Sequence, residues 1–347
     1  MNKLICFPFF CFGKAIIAAI IILTYMYVII FNVRNNNERI LSIIVPCFNE
    51  EKALPIFYDT IKEEINRLKN IDTEIILVDD GSKDYTLIIA KELNNIDKRV
   101  KVISFSRNFG KEAALIAGLE ASKGDYVVVM DADLQDPPAL LEKMINKLNN
   151  DNNLDCVGTR RVTRKGEPPI RSFFARKFYK YINKMIDFEI IDGARDFRMM
   201  RRSMVNAILS LSEKNRFSKG IFAWVGFKTE YIEYVNVERV AGETKWSFWK
   251  LLRYAIQGFV GFTVAPLRAI SIAGVVSLLI TIVASIWFLA SALINGINVS
   301  ADNYTLIFLG IFGSGTFIAL GIIGEYIASI STEVKNRPIY IVKEKIF

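Results

Sequence analysis

The chain has 347 residues, 52% of them hydrophobic, and carries 44 Lys+Arg against 36 Asp+Glu, for a net charge of +8. That length allows one large domain or two small ones with accessory segments. The apolar share excludes a disordered chain, and a mean hydropathy of +0.28, concentrated in blocks, favours membrane association over an ordinary soluble enzyme. Histidine is absent from the sequence, which removes His-based acid–base chemistry, Ser-His triads and His metal ligands, so that any metal is held by oxygen. The four cysteines, Cys6, Cys11, Cys47 and Cys156, form no C-x-x-C pair and predict no disulfide framework, in keeping with a reducing cytosolic setting.

The predicted elements begin with an apolar block of 17 residues at 15–31, behind Lys3 and Lys14 and ahead of Arg34 and Arg39. No small-residue cleavage site follows it, so it reads as a retained anchor or interfacial helix rather than a removed signal peptide. Its C-terminal end then lies in the cytosol with the polar domain that follows, and its N-terminus outside. From about residue 39 to 250 the chain is of single-domain size. Within it, β-branched runs at 41–45, 74–78, 100–104 and 126–130 predict strands. Amphipathic stretches at 51–69, 85–94, 111–122 and 138–148 predict helices. This βαβα alternation predicts a parallel sheet whose ligands gather at the carboxyl ends of its strands. No internal repeat is present, and the Asn-rich stretches at 35–37 and 149–153 read as loop edges.

The first strand ends in Val45-Pro46-Cys47-Phe48-Asn49-Glu50-Glu51 and the second in Val78-Asp79-Asp80-Gly81-Ser82. Carboxylates just past strand ends can accept hydrogen bonds from a ribose or base, and Gly81 permits a sharp turn. Each motif alone also reads as ordinary turn and N-cap chemistry. The fourth strand delivers Asp131-Ala132-Asp133-Leu134-Gln135-Asp136-Pro137-Pro138. Because side chains alternate along an extended strand, Asp131 and Asp133 point the same way and form an oxygen site for Mg²⁺ or Mn²⁺. Gln135 adds a neutral ligand, and positions stay open for diphosphate oxygens. The alternative, an N-capping loop before Pro137-Pro138, accounts for Asp136 but not for Asp131.

Residues 170–186 interleave Arg171, Arg176, Lys177, Lys180 and Lys184 with Phe173, Phe174, Phe178, Tyr179 and Tyr181. Residues 246–257 set Trp246, Phe248 and Trp249 beside Lys250 and Arg253. Both predict interfacial helices, with aromatics at headgroup depth and cations toward anionic lipid. Nucleic-acid binding and a solvated helix that packs its aromatics inward are the rival readings. Residues 269–293 then run 25 residues without a charge, and 305–324 another 20, each long enough to cross a hydrocarbon core of about 30 Å. The link at 294–303 lacks Lys and Arg, whereas Arg268 precedes the pair and Lys335, Arg337, Lys343 and Lys345 follow it. The positive-inside bias predicts a hairpin with its tip outside and both flanks cytoplasmic; the alternative is two core helices of a soluble domain.

Taken together, the segments at 45–50, 78–82, Ser-Arg-Asn-Phe-Gly-Lys-Glu at 106–112 and Asp-Ala-Asp-Leu-Gln-Asp-Pro-Pro at 131–138 resemble the family 2 glycosyltransferases that load polyprenyl phosphates. That group includes dolichyl-phosphate mannose synthases and bactoprenol glucosyltransferases of the GtrB type. Further matches are Val157-Gly158-Thr159-Arg160, Asp196-Phe197-Arg198-Met199-Met200, Trp224-Val225-Gly226-Phe227, Ala241-Gly242-Glu243-Thr244-Lys245-Trp246, Gly324-Glu325-Tyr326 and Arg337-Pro338. The resemblance spans roughly residues 40 to 340. It implies an α/β catalytic domain of the GT-A type, Rossmann-like with a mostly parallel sheet. The implied divisions are an N-terminal anchor at 1–38, the catalytic domain at 39–245, a juxtamembrane helix at 246–268, a transmembrane hairpin at 269–330 and a basic cytoplasmic tail at 331–347.

Residue by residue, the resemblance implies that Pro46, Phe48, Asn49, Glu50, Asp79 and Asp80 frame the nucleotide, and that Asp131, Asp133 and Gln135 serve a divalent metal and the diphosphate. It implies that Lys219, Arg239 and Lys245 lie near the donor, that Asp196 contacts the donor sugar, and that Arg160 and Arg171 meet the acceptor phosphate. Asp196 also reads as a structural partner of Arg198. Two departures stand out: Ala175 falls where relatives usually carry Ser, and the N-terminal apolar block is not typical. The implied activity is inverting transfer of a sugar, glucose from UDP-glucose, to undecaprenyl phosphate at the cytoplasmic membrane; UDP-GlcNAc and GDP-mannose are the alternative donors. An acceptor phosphate is already anionic and needs no strong general base, which suits a chain without histidine. A processive synthase is disfavoured because no Gln-x-x-Arg-Trp motif occurs, and a non-catalytic nucleotide-binding scaffold is the reading from another class. Expected partners are the nucleotide sugar, the lipid phosphate, the bilayer, a second copy of the chain, a flippase and a second glycosyltransferase, but not nucleic acid.

Overall fold

The strands form because β-branched residues occupy both faces of a doubly covered sheet. In the computed structural model, which describes residues 39–162, 177, 179–235, 256, 258, 260–295 and 301–347, the first elements are β1 (Arg39–Cys47), α1 (Ala53–Arg67), β2 (Ile71–Asp79), α2 (Thr86–Ile96), β3 (Val100–Phe105), α3 (Lys111–Ala121), β4 (Tyr126–Val129) and α4 (Leu140–Asn150). After them come β5 (Cys156–Arg161), β6 (Ala194–Arg201), α5 (Arg202–Ser210), α6 (Ser218–Trp224), β7 (Thr229–Tyr234), α7 (Ala265–Asn295), α8 (Ala301–Val334) and β8 (Val342–Ile346). The apolar block at 15–31, Arg171, Ala175, Arg239, Lys245 and nearly all of 246–257 lie outside the described residues.

Strand order across the sheet is β7-β5-β6-β4-β1-β2-β3-β8. Strands β1 to β4 are mutually parallel where they pair, and β6 is antiparallel to both β4 and β5. Along β1, Leu41, Ile43 and Val45 join one buried cluster with Leu54, Phe57 and Ile61 of α1, while Ile44 joins another with Leu115 and Ile116 of α3. β2 and β4 divide their side chains in the same way. Fully burying a side chain of this size stabilises by about 1.5 to 3 kcal/mol, and burial on both faces is what lets a parallel sheet read as continuous apolar runs. Helix α3 lies so close on β1 that a Cβ at Gly118 would stand 2.2 Å from Ile44 Cγ2.

The strands predicted at 41–45, 74–78, 100–104 and 126–130 and the helices predicted at 51–69, 85–94, 111–122 and 138–148 are present, with ends shifted by a few residues at most, whereas of the segment at 170–186 the described residues 179–182 are helical and 183–186 turn away. The segment read as a basic tail contributes β8, antiparallel to β3 at the sheet edge. Its alternation of Val342, Glu344 and Ile346 with Lys343 and Lys345 suits an edge strand, where charge blunts further pairing.

The long helices exceed the predicted spans: α7 has 31 residues and α8 has 34. Among the described residues, Gly315–Val334 is long and apolar enough to cross a membrane. Both ends of the pair are tied to the sheet domain. Phe262, just before α7, packs edge-on against Phe217 and Phe188, and Tyr326 Oη of α8 donates to Thr263 O at 2.6 Å. At the end of α8, Glu333 Oε1 accepts from Lys214 N at 2.8 Å and Asn215 N at 3.0 Å.

Candidate active site

Strand order reverses at β1, whose neighbours are β2 on one side and β4 on the other, and ligands of such sheets sit in the crevice at that point. Ile44 O accepts from Met130 N at 3.0 Å, so the even-numbered backbone positions here face β4. Pairing with β4 ends at Val129, and Pro46, which has no N–H to offer, falls just past that end. The crevice therefore opens where β1 loses a neighbour.

The loops after β1 and β2 lock together. Asn49, at φ 53, is in the left-handed region that Asn tolerates. It receives Lys83 N on its Oδ1 at 2.9 Å, while its own N–H donates to Ser82 Oγ at 2.9 Å. Glu50 N donates to Thr86 Oγ1 at 2.7 Å, and Phe48 is half-buried beside them. Asp79 and Asp80 are buried and turned inward. Asp79 accepts from Ser82 N at 3.0 Å and Ser104 Oγ at 2.8 Å. Asp80 accepts from Phe109 N at 2.6 Å and Gly110 N at 2.9 Å, closing the loop ahead of α3. Burial pushes the Asp80 carboxyl up, against those two backbone donors. The turn between them needs Gly81: at φ +66, a Cβ there would stand 2.5 Å from Arg107 C.

The centre of the site comes from strand register. Val129 of β4 lies opposite Arg198 of β6, the last pair of that ladder, and Asp131 and Asp196, each two residues beyond it, come close enough for one lysine to bridge them. Like charges facing each other across strands repel, and Lys111 fits between them. Its Nζ lies 2.7 Å from Asp131 Oδ1 and 2.8 Å from Asp196 Oδ2, and it also donates to Asp131 Oδ2 at 3.0 Å. Burial opposes the charge on Lys111, but the two carboxylates outweigh it and hold the ammonium above the ordinary lysine range. Likewise burial opposes the charge on Asp196, yet Lys111, Lys219 and Arg198 keep its carboxyl well below the ordinary range. The partner of Asp196 is thus Lys111. Arg198 instead lies under Phe222, 3.9 Å from the ring centroid, and donates from Nη2 to Arg195 O at 3.1 Å.

One expectation about the 131–136 segment needs correction. Strand β4 ends at Val129, residues 132–133 form a turn, and Leu134 takes φ 54, so no continuing strand aims Asp131 and Asp133. Burial alternates all the same: Asp131, Asp133 and Gln135 are half-buried, while Ala132, Leu134 and Asp136 are buried. Asp133 Oδ1 accepts from Gln135 N at 3.2 Å. Beneath them Asp136 pairs with Arg195 Nε at 3.1 Å and accepts from Tyr234 Oη, and Arg195 Nη2 reaches Gln135 Oε1 at 3.5 Å. Among the described residues no three Cys, Asp or Glu side chains converge on one point. The half-buried oxygens of Asp131, Asp133 and Gln135 nonetheless fit Mg²⁺ or Mn²⁺ chemically, because such ions take hard oxygen ligands and complete their shells with water and phosphate.

On the far side, Arg160 of β5 pairs in register with Ala194, two positions from Asp196. Its Nε donates to Asp192 O at 3.1 Å, and its Nη1 lies 3.5 Å from Glu233 Oε1. Lys219, the second residue of α6, has its Nζ 3.5 Å from Tyr179 Oη. Glu112, next to Lys111, accepts from Ser218 N at 3.2 Å and from Ser218 Oγ, which ties α3 to α6. Sequence reasoning gave no role to Lys111, Glu112 or Arg195. The available signals were the place of Lys111 and Glu112 in the resembling segment at 106–112 and a lysine directly after Gly110 at a helix start, where the dipole disfavours a cation.

Residues 42–209 match the model of the family described as "Glycosyl transferase family 2". CsbB of Bacillus subtilis (strain 168) is 44% identical over 308 residues, which is 88% of this chain and 92% of that one. The SfII prophage-derived bactoprenol glucosyl transferase of Shigella flexneri is 40% identical over 304 residues, 88% of this chain and 97% of that one. Among solved structures, the mannosyltransferase PcManGT from Pyrobaculum calidifontis, in complex with GDP-Man and Mn2+, has a TM-score of 0.46 at 18% identity, covering 86% of this chain and 88% of that one.

Proposed function

This chain belongs to glycosyl transferase family 2, and on that premise we propose that it transfers one sugar from a nucleotide sugar to a polyprenyl phosphate at the cytoplasmic face of a membrane, with UDP-glucose as donor. The relative named bactoprenol glucosyl transferase, at 40% identity over 97% of its length, supports glucose and a bactoprenol carrier. One structural observation carries the reading. Helix α6, only seven residues long, sets Lys219 where its charge helps hold Asp196 ionised and receives the ring of Phe262 on Gly220 at the next position. The sugar site and the root of the long apolar helices are therefore one short helix apart, and a lipid headgroup can meet a soluble donor there.

In this reading Pro46, Phe48, Asn49 and Glu50 frame the nucleotide, and Asp79 and Asp80 shape its loops through their bonds to Ser82, Ser104, Phe109 and Gly110. Asp131, Asp133 and Gln135 would hold Mg²⁺ or Mn²⁺, which would supply charge stabilisation for the leaving diphosphate. Lys219, Arg239 and Lys245 would serve the donor diphosphate. Arg160 and Arg171 receive the acceptor phosphate, since a guanidinium makes paired contacts to phosphate oxygens. Asp196 stays a carboxylate under its surrounding cations, so it accepts a hydrogen bond from a sugar hydroxyl rather than donating a proton. The anionic acceptor attacks the anomeric carbon directly, which inverts that centre.

The test is turnover by the full chain in nanodiscs containing undecaprenyl phosphate, offered UDP-glucose, UDP-GlcNAc and GDP-mannose in turn with Mg²⁺ or Mn²⁺. Glucosyl lipid from UDP-glucose is expected. Preferential use of another donor overturns the sugar assignment, and nucleotide binding without any transfer favours the scaffold reading.

A further inference from the structure

Lys111 breaks a local rule in order to sit where it does. It is the first residue of α3, following Gly110 at φ +101, and a cation at that end of a helix opposes the dipole. Such conflicts between local preference and final structure concentrate at functional positions. Its ammonium meets both oxygens of Asp131 and one of Asp196, so it satisfies the carboxylate that the metal reading also requires. A divalent ion and the ammonium therefore compete for the same Asp131 oxygens, and their like charges repel across them.

From this we propose, resting on the metal assignment above, that Lys111 is an internal counter-cation. It keeps the opposed Asp131 and Asp196 together before the donor binds, and a divalent ion must displace it from Asp131. The lysine stem is flexible enough to let the ammonium leave one carboxylate while keeping the other. The displaced ammonium stays on Asp196, close to where the donor diphosphate arrives. Metal alone therefore binds against a competing charge, while metal arriving with a diphosphate supplies the displaced ammonium with new oxygen partners. Lys111 is in this sense a positioning residue, and Glu112 fixes the helix start that carries it through the bonds to Ser218.

The experiment is Mn²⁺ titration of the full chain in detergent without nucleotide, followed by electron paramagnetic resonance of the free ion, for wild type and for Lys111→Met, Lys111→Gln and Lys111→Arg. Removing the competing charge is expected to tighten Mn²⁺ binding by about ten-fold, or 1.4 kcal/mol, in the Met and Gln variants. The Arg variant, which keeps the charge, stays near wild type. A merely structural lysine predicts the opposite sign, because a loosened site binds metal more weakly. Unchanged or weaker binding in Lys111→Met and Lys111→Gln overturns the inference and leaves the metal assignment standing. No Mn²⁺ binding by any of the proteins overturns both. Circular dichroism identifies a variant that has lost its fold, and the pair of neutral substitutions keeps the comparison decisive if one of them does.

Discussion

At the turn between α2 and β3, Arg99 wraps Asp97: Nη2 donates to Oδ2 at 2.8 Å and Nε to Oδ1 at 3.0 Å, with Tyr58 Oη donating at 3.1 Å. The Arg99 side-chain bonds outweigh burial and bring the Asp97 carboxyl down to about 2. A folded value below the unfolded one, about 3.9, gives stability that is fully present above the unfolded value and is lost as pH falls through the folded one. Asp97→Asn should therefore cost about 1 to 2.5 kcal/mol at pH 7, and its gap to wild type should narrow as thermal melts are repeated from pH 5 toward pH 3. A gap that stays constant over that range removes the ion pair as its cause. Asp133 is the residue to change at the proposed metal site. Asp133→Asn should fold and insert normally yet lose turnover by about a hundred-fold or more, and normal turnover by the folded variant, or full wild-type activity in excess chelator, counts against the site.

Strand β8 covers the β3 edge of the sheet. Ile346 lies opposite Val102, Lys345 opposite Ile103 and Glu344 opposite Ser104, and Lys91 pairs with Glu344 at 2.6 Å. A chain ending at residue 341 should expose the β3 backbone, associate through it and elute as large species on size exclusion in detergent. A monodisperse, active truncation would show that the edge needs no cover. The same strand illustrates what the sequence conceals. β1 to β4 were legible because their apolar runs are buried on both faces, with turn residues between them. β5 to β8 were not, because strands such as Ala194–Arg201 and Val342–Ile346 mix charge with apolar residues and draw their stability from partners far along the chain. The site divides similarly. Asp131 and Asp133 were visible as a motif, whereas the meeting of Lys111 with Asp196 depends on the register of β6 against β4, and no local pattern encodes that register.

Across the whole molecule, α7 starts beside α6 and α8 ends against residues 214–215 before the chain re-enters the sheet as β8. A helix pair rooted at both ends in one domain returns to the side from which it left. Reporter fusions should accordingly place residue 298 outside and residues 150 and 347 in the cytosol, and a cytosolic signal at 298 refutes the hairpin. Closure by β8 also sets a timetable for biogenesis. Lys91 and Glu344 are 253 residues apart, and at about 5 to 20 residues per second the ribosome needs roughly ten to fifty seconds to deliver the second after the first. For that interval the nascent sheet has an open flank, and the flank closes only after the apolar helices have been synthesised. Pulse-labelled chains should accordingly lose protease sensitivity at β3 only after α7 and α8 have been synthesised, and protection that precedes their synthesis would show that the edge closes without β8.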